Sequence, residues 1–264
     1  MAEYARYACV FLFGIIAGSF VNVCVYRIPR DISIVRPRSR CPSCGAAIKP
    51  RELIPIVSFI FLRGKCSSCR AAISARYPII EIICGILSAA LLNRFGLSFR
   101  FACYAILCLI LTAVFFIDLE WMRIPNALVI SALIPACAAW AEFMFFLTPP
   151  ERFRSVYASV NGAAPLLGLI PCAAFLLIYT VSLLAGKSGN AIGLGDVKLL
   201  IPTGLALGLR QIALAVFISI IMGGVAGAAL LITRVKNRKD PIPFGPFIVV
   251  GVIAAIFMQT TLFI

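Results

Sequence analysis

The 264-residue chain is 62% hydrophobic and carries 24 Lys and Arg against 10 Asp and Glu, a net charge of +14, with no histidine. So apolar a composition excludes a domain with an all-polar surface and makes the chain a polytopic membrane protein. The positive charge falls between apolar runs, which excludes nucleic acid and points to orientation signals and anionic-lipid contacts, while the lack of histidine removes His-based triads, HExxH zinc peptidases and histidine proton relays.

Apolar runs of spanning length, about 17–25 residues, occur at 7–26, 77–93, 99–118, 126–147, 162–185, 211–233 and 245–264. A shorter run at 197–209, closed by Arg210, is counted as the sixth of eight spans. Gly204 and Gly208 lie four apart on it, and Gly223 and Gly227 on the next, a spacing that suits close helix packing in lipid. The first run lacks a clustered basic flank and a small-residue cleavage site, so Tyr7 to Val25 is read as a retained span rather than a signal peptide.

The longest polar segment, 27–75, holds ten Lys and Arg against Asp31 and Glu52, which makes it cytoplasmic and leaves the N-terminus outside. Alternation then puts 94–98, 148–161 and 210 outside, and 119–125, 186–196 and 234–244 inside. The last of these carries Arg234, Lys236, Arg238 and Lys239, in agreement with the rule. The count lands Asp118 and Asp196 on one side, the cytoplasmic one.

The same polar segment contains Cys41-Pro-Ser-Cys44 and Cys66-Ser-Ser-Cys69, 21 residues apart. Two such turns present four thiolates to one tetrahedral Zn²⁺, and a closed four-sulfur site has no position for water, so the ion is structural. Disulfides or free thiols are the other reading, disfavoured in a reducing cytoplasm. The remaining seven of the eleven cysteines lie in apolar runs, where a thiol acts as a small hydrophobe.

Asp118 closes the third run and Asp196 sits in Gly193-Leu-Gly195-Asp196-Val-Lys198. An ionisable group at membrane depth is a functional candidate by default; the plainer reading is that both acids cap helices at the headgroup level. As a dyad they share one proton, so that one acts as acid and the other as base on a water. Glu120, a rival for Asp118, is two residues along the helix, about 200° away on the opposite face. Gly193 and Gly195 suit close backbone approach to a substrate. Lys198 is read as a snorkelling interfacial lysine, with a phosphate headgroup or a bias on the dyad as its other roles. Gly186-Lys187-Ser188 has Val181 where a phosphate loop needs its first glycine, and Gly193-Leu-Gly195 lacks the third glycine of a dinucleotide fingerprint.

Together, Gly18-Ser19-Phe20-Val21-Asn22-Val23, the paired CxxC, Arg76-Tyr77-Pro78 with Glu81, Asp118 before Ile124-Pro125-Asn126, the Gly193 to Leu199 motif and Pro243-Phe-Gly-Pro246 resemble the bacterial type IV prepilin peptidases, in order and along nearly the whole chain. The resemblance implies a bifunctional inner-membrane enzyme, serving type IV pili or type II secretion. Such an enzyme cleaves the leader of a prepilin or pseudopilin on the cytoplasmic side and N-methylates the new terminus with S-adenosylmethionine. It implies a methyltransferase part over 1–93 and a membrane aspartyl peptidase over 94–264, with Asp118 and Asp196 as the catalytic pair. Glu81 then faces the amine of S-adenosylmethionine or the substrate's new N-terminus, or else pairs with Arg76. The expected fold is all-α, with about eight transmembrane helices and a small zinc-ribbon-like cytoplasmic loop. The alternatives are a peptidase without methylation, a proton- or cation-coupled transporter and a non-catalytic scaffold of a secretion machine. A transporter predicts inverted repeats, and no second GLGD or four-cysteine loop occurs.

Overall fold

The computed structural model describes residues 1–146, 164–184, 193–235, 237 and 240–258. The expected loop 148–161, Gly186-Lys187-Ser188, the basic residues Lys236, Arg238 and Lys239, and the end of the last expected span lie outside the described residues. The helices are α1 (Ala2–Arg27), α2 (Val57–Phe61), α3 (Arg76–Phe95), α4 (Phe99–Trp121), α5 (Asn126–Phe146), α6 (Ala164–Leu167), α7 (Ile170–Leu184), α8 (Leu194–Ile232) and α9 (Gly245–Met258). The chain divides into two compact units, Met1–Phe101 and Ala102–Ile264.

In the first unit α1 lies against α3, and small residues set the distance. A β-carbon on Gly14 would come within 2.5 Å of Ser88 Oγ, and one on Gly18 within 2.8 Å of Glu81 Cα. From the other side, the place of a Gly85 side chain is taken by Phe11 and Ile15. Without a hydrophobic drive between helices in lipid, backbone approach of this kind holds them together by dispersion contacts. Val21, Val25, Ile80 and Leu91 fill the seam, while Leu12, Phe13, Ile16 and Phe20 of α1 remain exposed, an apolar outer face of the kind a bilayer covers. Helix α1 stops where Pro29 enters a 3₁₀ turn and Asp31 takes a left-handed conformation with φ 56°, which Asp tolerates.

The second unit is organised on α8, against which α5, α6, α7 and α9 pack. A straight helix of these 39 residues would measure about 58 Å, about twice the hydrocarbon thickness. It is broken at Gly208, whose φ of 74° and ψ of 172° are open to glycine alone. Gly208, expected to be a packing glycine, is therefore the hinge between the segments read as the sixth and seventh spans. The break leaves carbonyls of the preceding turn without helical partners, and the Tyr104 hydroxyl donates to one of them, Ala206, at 3.0 Å. Gly204 does pack closely, against the Gly168 carbonyl. The second half of α8 is joined to α9 by the Ser219 hydroxyl, whose one proton lies between the carbonyls of Ala215, in its own helix, and Phe247, in α9.

Among the described residues, four helices are long and apolar enough to cross a membrane: Glu3–Arg30 including the 3₁₀ turn, Arg76–Phe95, Phe99–Trp121 and Leu194–Ile232. The apolar stretches Asn126–Glu142, Ile170–Leu184 and Gly245–Met258 are shorter. The all-α expectation holds among the described residues, which contain no strand. Among the described residues, the eight expected segments correspond to four helices of spanning length and three shorter apolar ones, α8 joining the two segments that the sequence separates at Arg210, so four spans rather than eight are supported there.

Candidate functional site

Asp118 lies in the last turn of α4, where the helix dipole disfavours a carboxylate, so it is no cap. It is 5% exposed, and Asp196 is 8% exposed. Asp196 is the third residue of α8, a position favourable to an acid, and the N–H of Gly193 at the N-cap faces its carboxylate. Gly245, the first residue of α9, donates its N–H to Asp118 Oδ2 at 3.1 Å. Each aspartate is thus held by the backbone of a glycine that begins or precedes a helix, and the two carboxylates interact electrostatically. Glu120 is exposed.

Ile124 stands between the two glycine-bearing turns. A β-carbon on Gly195 would approach Ile124 Cβ to 3.2 Å, and one on Gly245 would approach Ile124 Cδ1 to 3.2 Å and Asp118 Oδ2 to 2.6 Å. A β-carbon on Gly193 would meet Asp196 Oδ2 at 2.9 Å. The space freed by Gly193 and Gly195 is therefore taken by the chain's own Asp196 and Ile124, so these glycines serve the geometry of the acids first. Lys198 Nζ donates to Asn126 Oδ1 at 3.1 Å, which ties the start of α8 to the start of α5. Sequence reading gave no role to Gly245, Ile124 or Asn126. Their signal was present in the Pro243 to Pro246 and Ile124-Pro125-Asn126 motifs, but the Gly245 contribution is a backbone N–H, which carries no residue type, and the Ile124 and Asn126 side chains gain their roles only from the neighbours the fold brings to them.

In the first unit the sulfurs of Cys41, Cys44, Cys66 and Cys69 all lie within 4.8 Å of one another, and none of the eleven cysteines forms a disulfide. The two knuckles are built alike. Cys41 N–H bonds the Ala46 carbonyl at 2.9 Å and Gly45 N–H the Cys41 carbonyl; Cys66 N–H bonds Ala71 at 2.8 Å and Arg70 N–H the Cys66 carbonyl. A single antiparallel bridge closes each, Arg40 with Ala47 and Lys65 with Ala72. The residue after the second cysteine is left-handed in both, Gly45 with φ 71° and Arg70 with φ 61°. A tetrahedral ion at about 2.3 Å from four sulfurs sets them about 3.8 Å apart; Cys41 and Cys69 are 3.9 Å apart. The donor set fits a zinc-sized ion. The N–H groups of Cys44 and Ser43 directed at Cys41 hold its thiol down to about 6, so one thiolate is ready for a metal. Cys69, though the Ala71 N–H favours its thiolate, is pushed up to about 11 by desolvation and the neighbouring sulfurs.

Cys41 and Cys66 also line a cavity of about 410 Å³ that lies wholly in the first unit, bounded further by Asn22, Glu52, Arg76 and Glu81. That volume is in the range of small-ligand pockets. Glu81, 6% exposed, accepts the Ile56 N–H at 2.8 Å and faces the Ser19 hydroxyl. The sequence-derived site residues thus fall in two groups, the acids with Gly193, Gly195 and Lys198 in the second unit, and Glu81 with the four cysteines in the first.

Comparison with known proteins divides the chain in a similar way. The model of the bacterial peptidase A24 N-terminal domain matches residues 12–95, and that of the type IV leader peptidase family matches residues 105–228. A Bacillus subtilis protein named prepilin leader peptidase/N-methyltransferase is 37% identical over 246 residues, 93% of this chain and 92% of its own. Proteins of the same name from Aeromonas hydrophila, covering 93% of this chain and 88% of their own, and Burkholderia pseudomallei (strain K96243), covering 97% and 87%, are each 32% identical. No solved structure matches the chain. Domain matches on both units and identity along nearly the whole length establish that this chain is an integral membrane protein belonging to the type IV leader peptidase family.

Proposed function

We propose that the chain is a prepilin leader peptidase and N-methyltransferase in which Asp118 and Asp196 carry cleavage and the first unit carries methyl transfer. The observation that bears most weight is the pair of buried aspartates, each oriented by a glycine N–H and in electrostatic contact with the other. Adjacent carboxylates share one proton. The ionised member takes a proton from a water, which attacks the scissile carbonyl. The protonated member hydrogen-bonds the carbonyl oxygen, and a proton then passes to the departing amine as the C–N bond breaks. The Gly245 and Gly193 N–H groups hold the carboxylates in place through this exchange.

The substrate is a prepilin or pseudopilin, whose basic leader meets a hydrophobic helix at the scissile bond. A helical peptide bond hides its carbonyl in the i to i−4 hydrogen bond, so that junction unwinds before attack. A glycine there lowers the cost, being about 1 kcal/mol poorer than Ala in a helix. Gly193, Gly195 and Lys198 lie at the mouth of α8, beside the acids, and we assign the substrate's approach to this end. The membrane is the bacterial inner membrane, crossed about eight times, with the N-terminus outside and the acids facing the cytoplasm. The basic segment 27–75 supports that orientation, and the exposed apolar side chains support contact with lipid.

Zinc at Cys41, Cys44, Cys66 and Cys69 fixes the wall of the cavity and takes no part in the chemistry, since all four positions are protein sulfur. S-adenosylmethionine, when bound, supplies an electrophilic methyl group. Glu81 lies on the cavity wall, where a carboxylate binds a cationic amine. Incubating purified protein with a peptide carrying a basic leader, glycine and phenylalanine, and weighing the products with and without S-adenosylmethionine, tests both activities. A mass loss equal to the leader and, only with the donor, a gain of one methyl group are expected. An unchanged peptide would remove this reading in favour of a transporter or scaffold.

A further inference from the structure

The cavity of the first unit holds a polar atom that nothing among the described residues satisfies. Asn22, 2% exposed, stands on its wall. Its Nδ2 donates to the Tyr77 carbonyl at 3.0 Å, while its Oδ1 is buried with no partner. The amide cannot be turned around, because the Tyr77 carbonyl only accepts, so the NH₂ must face it and the oxygen is left over. A buried unpaired acceptor is rare in a native protein and asks for an explanation.

Two further features converge on the same cavity. Ser19, Asn22, Val23 and Tyr26 line it from one face of α1, at i, i+3, i+4 and i+7, and Glu81 lines it from α3. Ile56 is held at φ 61° and ψ −52°, an outlier for a β-branched residue. In that conformation its N–H reaches Glu81 Oε2 at 2.8 Å. Strain of this kind clusters at ligand sites, and here it orients a carboxylate on the cavity wall. Four arginines also line the cavity: Arg27 and Arg30 donate to carbonyls, of Ser33 and Pro37 and of Tyr26, Arg76 lies over the Tyr77 ring, and Arg40 stands in the first cysteine knuckle.

We propose that Asn22 Oδ1 and the Glu81 carboxylate together form a seat for a primary ammonium group. An anionic acceptor beside a neutral one suits a cation with several N–H donors. The proposal rests on the reading that this unit transfers a methyl group. Both partners of that reaction carry such a group, the amino-acid end of the methyl donor and the new N-terminus of the cleaved substrate.

The test uses the full chain in detergent and three readouts: calorimetric affinity for S-adenosylhomocysteine, KM for a pre-cleaved peptide with a free N-terminal phenylalanine, and leader cleavage as a check of folding. Asn22→Ala is expected to weaken one of the first two by about tenfold, the worth of a charge-assisted hydrogen bond, with cleavage unchanged. Loss of S-adenosylhomocysteine affinity assigns the seat to the donor; a raised peptide KM assigns it to the new N-terminus. Asn22→Asp keeps an acceptor but loses the bond to Tyr77, and should stay within about threefold of wild type. An Asp variant as poor as Ala would mean that Asn22 merely ties α1 to α3, and the seat would be rejected. Unchanged values in Asn22→Ala would reject it too, since a water then satisfies Oδ1. Where Asn22→Ala loses cleavage through misfolding, Asn22→Asp and Glu81→Gln decide, the latter keeping the Ile56 bond and losing about tenfold through its charge. A wild type that neither binds S-adenosylhomocysteine nor methylates would overturn the reading of the whole unit, whereas a competent wild type with indifferent variants overturns the seat alone.

Discussion

Asp118 and Gly245, 127 positions apart in the chain, meet through one hydrogen bond of 3.1 Å from the Gly245 N–H to the carboxylate. A side chain on Gly245 would stand 2.6 Å from that oxygen. Gly245→Ala should therefore push Asp118 aside and lower cleavage by about a hundredfold, the scale of a 1 Å misplacement of a catalytic group. Gly224→Ala, whose β-carbon meets nothing within 4 Å, should cleave normally. Rates on a leader-bearing peptide check the pair.

Gly195→Val should likewise lose cleavage with both acids intact. The mechanism is local, because the added carbons would displace Ile124, which also lies against Gly245. Cleavage by Gly195→Val at the wild-type rate, in detergent and in lipid, would show that Ile124 moves without moving the acids.

The first unit makes a separable expectation. Gly18→Val would drive a side chain into Glu81 Cα and Cys84 Cβ, an overpacking that costs about 1–3 kcal/mol. It should part α1 from α3, lower thermal stability and reduce methylation of a pre-cleaved peptide more than cleavage of a full one.

Purified without chelator, the protein should hold one zinc per chain. Less than half an equivalent by elemental analysis would contradict the site. Cys41→Ser with Cys44→Ser should lose the metal and loosen segment 27–75, since structural zinc contributes about 10–16 kcal/mol apparent in small zinc peptides. Because Cys41 and Cys66 line the cavity, methylation should fall first.

What the sequence made legible was chemistry stated in residue types and spacing. The two CxxC turns and the two acids at the ends of apolar runs needed only identity and position. Backbone contributions were not legible: the Gly245 and Gly193 donors, the strained Ile56 N–H and the Tyr104 bond to Ala206 depend on which carbonyls and amides a fold leaves unpaired. Periodicity located the apolar segments and separated the two halves of α8, but at Arg210, whereas the break lies two residues earlier, at Gly208. The glycines of the Gly193 motif were read as facing a substrate; that a side chain on them would also meet Asp196 and Ile124, and so displace the acids, was not legible from residue type.

The most direct measurement is the product mass of a leader-bearing peptide incubated with wild type, Asp118→Asn, Asp196→Asn and Glu120→Gln, each with S-adenosylmethionine. Each Asn variant should leave the leader uncut, yet still methylate a pre-cleaved peptide, because the acids and the cavity belong to different units. Glu120→Gln should cut nearly as wild type. A dead Glu120→Gln beside an active Asp118→Asn would contradict the aspartate pair, and with it the cleavage chemistry assigned to Asp118 and Asp196.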